Sequence, residues 1–159
     1  NRISAERDVS SERSTIRSSV IKAYLLRNYP QYKEVLTVEL NENCTNQAYV
    51  LGELFSVLEE IQSAANPQIN TTINDRYFTS ASSTPALVFP LLIDLSQNHL
   101  KKLKISNPGY SVNLQKKLTE LMSKITEELP SRMNMQEKGI FQLGYYHQKQ
   151  RRFTKKEEK

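Results

Sequence analysis

Apolar residues recur along most of this chain at the three- and four-residue spacing of a helix face rather than at the alternation of a strand. Between Gln47 and Ala65 they fall at Leu51, Leu54, Phe55, Leu58 and Ile61, all on one side of a helix. Thr45 or Asn46 can cap its start, and Asn66-Pro67 stops it. Between Asn113 and Leu129 the stripe is Leu114, Leu118, Leu121, Met122, Ile125 and Leu129. Ser111 is placed to cap that helix, Pro108-Gly109 supplies the turn before it, and Pro130 ends it. Ser11 to Asn28 repeats the pattern with Ile16, Val20, Ala23 and Tyr24, closed by Pro30. A last helix starts at Asn134, whose side chain can cap the backbone while Glu137 reaches back to it. It carries Ile140, Phe141, Leu143, Tyr145 and Tyr146 before a basic, fraying end. Only Val35 to Leu40 breaks the period: Leu36, Val38 and Leu40 alternate, which fits a short strand as well as a turn of helix.

The stretch INDRYFTSASSTPALVFPLL, Ile73 to Leu92, has to be a linker, a Ser-rich catalytic loop, a membrane segment or a joint between helices. Thr84-Pro85 is a strong helix start, the hydroxyl capping free N–H groups and proline suiting the first position. The helix it opens presents Val88, Leu91, Leu92 and Leu95 and runs out at Lys101, Lys102 and Lys104. Upstream, Ile69, Ile73 and Tyr77 at spacing four mark a short helix ending near the small residues. Ala81, Ser82 and Ser83 have so little bulk that two helix ends can approach there, so the stretch reads as a tight joint. The whole pattern predicts an all-α fold, a compact antiparallel bundle of about five to six helices.

Length changes this picture little: 159 residues suit one helical domain, with 1–12 and 154–159 expected to be frayed ends. The single cysteine, Cys44, excludes an internal disulfide, and with two histidines it cannot form a standard zinc site. A reducing, cytoplasmic setting follows. The longest apolar run, Ala86 to Leu95, is broken by Pro90 and Asp94, and it is about half of the roughly 20 residues a bilayer requires. No basic-then-apolar leader opens the chain, which begins with Asn rather than Met, as a trimmed chain or a piece of a longer protein would.

Charge is more informative. Residues 1–29 hold six Lys/Arg against three Asp/Glu, residues 30–94 two against eight, and residues 95–159 fourteen against six. Basic ends around an acidic middle suit a surface that meets a polyanion on one side and something else on the other. Lysines that merely keep a helical protein soluble would give the same balance.

Catalytic signals are missing. There is no Gly-x-Ser-x-Gly elbow, no phosphate-binding Gly-rich loop and no acidic cluster at metal spacing. His99, four residues after Leu95, reads as a satisfied interface histidine, and Asp75-Arg76-Tyr77 as a surface ion pair beside a buried aromatic. No enzyme, cofactor or metal is expected. The residues placed to meet nucleic acid are Lys101, Lys102, Lys104, Lys116, Lys117, Lys124, Arg151 and Arg152, chosen on charge placement alone. Lys117 and Lys124 are seven apart on one helix side with Lys116 adjoining. The tail from Lys149 to Lys156 interleaves cations with Phe153, an arrangement suited to single strands and equally to a solvated terminus.

Three stretches, NENCTNQAYVLGELFSVLEEIQ (Asn41 to Gln62), INTTINDRYFTSASSTPALVFPLL (Ile69 to Leu92) and GIFQLGYYHQKQRRFTKKE (Gly139 to Glu157), resemble the C-terminal region of the large subunit of type I-C CRISPR effector complexes (Cascade). The motifs are Ala48 to Gly52, Asp75 to Phe78, Ser80 to Ser82 with Thr84-Pro85, and Gly144 to Gln148, specific as a set. The likeness runs from Val20 to the end, and the first twelve residues carry none. In that family the same coding region also yields a separate small subunit, which the length of this chain favours; a C-terminal fragment of the large subunit is the alternative. The resemblance implies a non-catalytic helical bundle in a crRNA-guided complex. It would pack against backbone subunits, the large subunit and neighbouring copies of itself. It would hold the R-loop open through the displaced non-target strand and the crRNA–DNA heteroduplex, while a separate helicase-nuclease cuts. Gly52, Gly144, Tyr145 and Tyr146 would be packing positions, Arg76 either an ion pair or a phosphate contact. The acidic middle, including Glu53, Glu59 and Glu60, would face protein partners. A purely structural scaffold is the competing reading.

Overall fold

The computed structural model describes residues 13, 16–17, 19–30 and 44–157, with side chains through 153. The alternating segment Val35 to Leu40 and the first twelve residues lie outside them. Five helices follow in order: α1 (Gln47–Ala65), α2 (Ile73–Ser83), α3 (Pro85–Ser106), α4 (Pro108–Ser123) and α5 (Met135–Glu157). Residues 19–28 form a further helical segment upstream, and no strand occurs among the described residues. The chain is an all-α bundle.

α1 is the axis of the bundle. Asn46 caps it, accepting from the N–H groups of Ala48 at 3.1 Å and Tyr49 at 3.3 Å. Its leucine stripe predicts one buried face, yet every residue from Ala48 to Ile61 is buried, because α2, α3, α4 and α5 all pack on it. α5 approaches closest. A Cβ on Gly52 would overlap the Phe141 carbonyl oxygen and stand 2.8 Å from the Tyr145 nitrogen; one on Gly144 would overlap the Tyr49 carbonyl oxygen. Two glycines thus let two backbones touch, and the aromatic core of Phe55, Phe78, Phe89, Phe141 and Tyr145 closes around that crossing edge to face.

α2 and α3 meet at the expected joint, where Thr84 ends one helix and precedes the other. Its hydroxyl differs from expectation: it donates back to the Ser80 carbonyl at 3.1 Å and makes no cap bond to α3. Pro85 at the first helical position has no N–H to satisfy, so that cap is less needed. Ala81 and Ser82 are buried at the joint, and Met133 N–H to the Ser83 carbonyl, with Ala86 N–H to the Pro130 carbonyl, ties the α4–α5 loop across it. α3 is rotated from the predicted stripe. Val88, Phe89, Leu92, Ser96, Leu100 and Leu103 are buried, while Leu91 and Leu95 are 46% and 37% exposed. Phe89, with its ring centroid 6.4 Å from that of Phe55, has the largest surface to bury and turns the helix toward itself.

α4 starts five residues before the expected position and stops short of Leu129. Pro108-Gly109 opens the helix instead of preceding it, capped by the Asn107 side chain, which accepts from Tyr110 N–H at 3.2 Å. Ser111 lies inside, its hydroxyl donating to the Leu100 carbonyl of α3 at 3.1 Å. Ile125 and Leu129 leave the helix but still pack against the core. α5 begins as the Asn134/Glu137 pattern predicts: Glu137 N–H reaches Asn134 Oδ1 at 2.9 Å and Asn134 N–H reaches Glu137 Oε2 at 2.8 Å. The upstream segment overturns its own stripe. Ile16, Val20 and Tyr24 are 62%, 63% and 52% exposed, and Leu25 is the buried residue. The Leu25 side chain fills the space that a side chain on Gly139 would take. Ile21 and Leu26 pack beside it, so this segment has two apolar faces and the notch at Gly139 decides between them.

Candidate nucleic-acid interface

Three glutamates of the acidic middle do not face outward, whereas Asp75 and Asp94 are exposed. Glu53, Glu59 and Glu60 are 2%, 7% and 4% exposed on α1, inside the bundle, a correction with a simple cause for the last two: the cations that balance Glu59 and Glu60 come from the basic C-terminal third. Glu59 Oε2 accepts from the Tyr145 hydroxyl at 2.5 Å, and its Oε1 stands 3.6 Å from Lys149 Nζ. Tyr145 also accepts from Asn74 Nδ2 at 2.7 Å. Glu60 Oε1 accepts from the Tyr110 hydroxyl at 2.7 Å, with Lys117 Nζ at 3.6 Å from Oε2 and Arg152 Nε at 4.0 Å from Oε1. Burial, then the adjoining carboxylate, pushes both phenols well above the usual tyrosine range, so both stay protonated and donate. Buried carboxylates are tolerable only when paired and hydrogen-bonded in this way.

This network sorts the eight candidate cations. Lys117 and Arg152, with side chains 37% and 17% exposed, turn to Glu60, and Arg152 also lies over the Phe153 ring at 5.7 Å. Lys124 and Arg151 are half-buried and engaged within the chain. Lys102 is exposed and donates to the Asn66 side-chain oxygen at 2.5 Å, a neutral acceptor that leaves its charge uncompensated. Lys101, Lys104 and Lys116 are exposed and have no partner among the described residues. Lys101 and Lys104 share a side of the last turns of α3, and Lys116 lies opposite the Leu114–Leu118–Leu121 face of α4, so three of the eight reach solvent unengaged.

Arg76 joins them. The expected pair with Asp75 does not form, because Asp75 Oδ2 accepts from Thr72 N–H at 2.8 Å and completes a capping box at the start of α2. The Thr72-x-x-Asp75 spacing carried that signal. Arg76 is left exposed and unpartnered among the described residues.

Both histidines have partners inside the bundle. His99 Nδ1 lies 3.2 Å from Asn66 Nδ2, the interface role expected of it, and burial followed by the Lys102 charge lowers its pKa. His147 is buried, with Nδ1 2.8 Å from the Tyr49 hydroxyl; burial, then Lys22, takes its pKa down to about 4. An unfolded chain protonates this ring near pH ~6.5. The folded state does so only near 4, so between those values the unfolded chain binds more protons and stability falls as pH falls. The expected loss is at most roughly 3 kcal/mol. His147→Gln should flatten that part of the slope in urea melts run from pH 7 down to pH about 4.5.

No three His, Cys, Asp or Glu side chains gather as a metal site among the described residues, and none of their helices is long and apolar enough to cross a membrane. No curated protein sequence matches the chain. The sequence profile of one family, described as CRISPR-associated protein (Cas_Csd1), matches residues 1–153, and so takes in the first twelve residues, where the motifs show no likeness. The chain therefore belongs to the Csd1 family of CRISPR-associated proteins, the family of type I-C Cascade.

Proposed function

We propose that this chain is the non-catalytic small subunit of a cytoplasmic type I-C Cascade, holding the R-loop open by charge contact with the displaced strand and the heteroduplex backbone. The observation that carries this reading is the sorting of cations. Lys101, Lys104 and Lys116 stay in solvent without a carboxylate, although buried glutamates elsewhere draw in Lys117, Lys149 and Arg152. Guide pairing reads sequence in such complexes, so contacts to phosphates suffice. Cleavage of the target is left to a separate helicase-nuclease.

Changing Lys101, Lys104 and Lys116 together to Glu should weaken R-loop formation by the assembled complex by an order of magnitude or more while leaving thermal stability intact. With Gln in place of Glu, the slope of log K against log salt should flatten by about 2, at roughly 0.7 per lost single-strand contact. Unchanged target binding by the triple Glu variant would sink the reading. A scaffold role is favoured by the outward face of Ile16, Val20 and Tyr24. It would show as R-loops that survive the lysine changes and assembly that fails on Val20→Asp.

A further inference from the structure

We propose that the cleft between the loop after α1, α2 and α3 receives one unstacked nucleobase of the displaced strand, with Arg76 and Lys102 on the flanking phosphates; this rests on the R-loop reading above. The cleft encloses 410 Å³, near the low end of the ~300–1,000 Å³ of small-ligand sites. That volume suits a base with its sugar and excludes a duplex. Ile69, Leu95 and Tyr77 form apolar and aromatic walls, and Asn70 and His99 supply polar edges.

Tyr77 packs against the core, which holds its ring in place, and its hydroxyl has no partner among the described residues. The hydrogen atoms of His99 follow from its neighbours. Lys102 donates to Asn66 Oδ1, so Asn66 Nδ2 is the group facing His99 Nδ1 at 3.2 Å. Nδ1 therefore accepts, and Nε2 carries the proton and can donate to a base edge. Burial, then the Lys102 charge, lowers the pKa of the ring and so favours its neutral form.

Among the residues that line the cleft the one formal charge is that of Arg76. No carboxylate lines it, and the sequence neighbour Asp75 is turned to Thr72. Arg76 on the α2 wall is unpartnered among the described residues, and Lys102 on the α3 side retains its charge and two further N–H donors. An aromatic wall beside two uncompensated cations is how single strands are held without sequence preference. A polypeptide occupant would have to bring its own acids.

The test uses the assembled complex on a target duplex whose displaced strand carries 5-iodouracil at successive positions. After irradiation, adducts on this chain are mapped by mass spectrometry. Adducts at Tyr77 or His99 from one or two adjacent positions are expected, and an abasic residue at that position should weaken the open state on the order of tenfold. Arg76→Gln should weaken it too and flatten the salt slope by about 0.7. Adducts only outside the cleft, or an abasic residue without effect, would overturn the proposal; if reversal of Lys101, Lys104 and Lys116 still weakens the R-loop, the phosphate reading survives alone. If neither the abasic residue nor the lysine reversal has an effect, both readings fall. Release of this subunit by Arg76→Gln without any adduct would mean a polypeptide occupies the cleft, and would equally overturn it.

Discussion

Gly144→Ala is expected to be among the most damaging single substitutions in this chain, lowering stability by about 3–5 kcal/mol. The added methyl group would overlap the Tyr49 carbonyl oxygen and lie 3.1 Å from the Tyr49 Cα. Both are backbone atoms of the central helix, so no rotamer change relieves the clash and α1 and α5 must separate. Separation opens the core around Phe55, Phe141 and Tyr145, which loses contacts on both sides. A domain with a total stability of about 5–15 kcal/mol has little margin for this. Gly109→Ala is the matched control. Nothing lies within 4 Å of a Cβ there, the residue is helical, and the change should stabilise by up to about 1 kcal/mol. Urea melts of the two variants should move in opposite directions. Equal midpoints would mean that the helices do not touch at Gly144.

Glu60→Leu is expected to have the next largest effect, a loss of about 2–4 kcal/mol, somewhat below the 3–5 of a fully buried pair. Glu60 is almost wholly buried, and its removal leaves the Tyr110 hydroxyl, Lys117 and Arg152 without their acceptor. Lys117, the most exposed of these, can swing into water, which moderates the cost. Arg152 cannot do so as readily. The short bond is the one from Tyr110 at 2.7 Å, whereas the cations at 3.6 and 4.0 Å contribute through charge. Tyr110→Phe should accordingly lose about 1–2 kcal/mol. A double-mutant cycle between Glu60→Leu and Arg152→Leu should show a coupling of at least 0.5 kcal/mol. Additive effects would instead free Arg152 for an external phosphate.

These two expectations also mark where reading the chain residue by residue stops. Gly52 and Gly144 stand out in the motifs as packing positions, but only the crossing of α1 and α5 identifies the backbone oxygens they admit. The lysines after residue 100 read as one cationic set on charge alone. In the fold they divide, because Glu59 and Glu60 come from far upstream and select Lys149, Lys117 and Arg152. Arg76 could be an ion pair or a free cation until the capping box takes Asp75 away from it.

What the order of residues determines unaided is local. The period of leucines makes helices, Asn46 and Asn134 start two of them through contacts a few residues away, and Thr84-Pro85 joins α2 to α3 without a linker. Such features depend on neighbours within one turn, so the sequence carries them whole. Which face turns inward, at Leu25 rather than Val20 and at Phe89 rather than Leu91, was decided by packing against distant helices. So was the division of cations between interior and surface. Periodicity records that an apolar face exists, and a formal charge records only its sign; the partner that uses each is chosen when helices far apart in the chain come together and water is excluded between them.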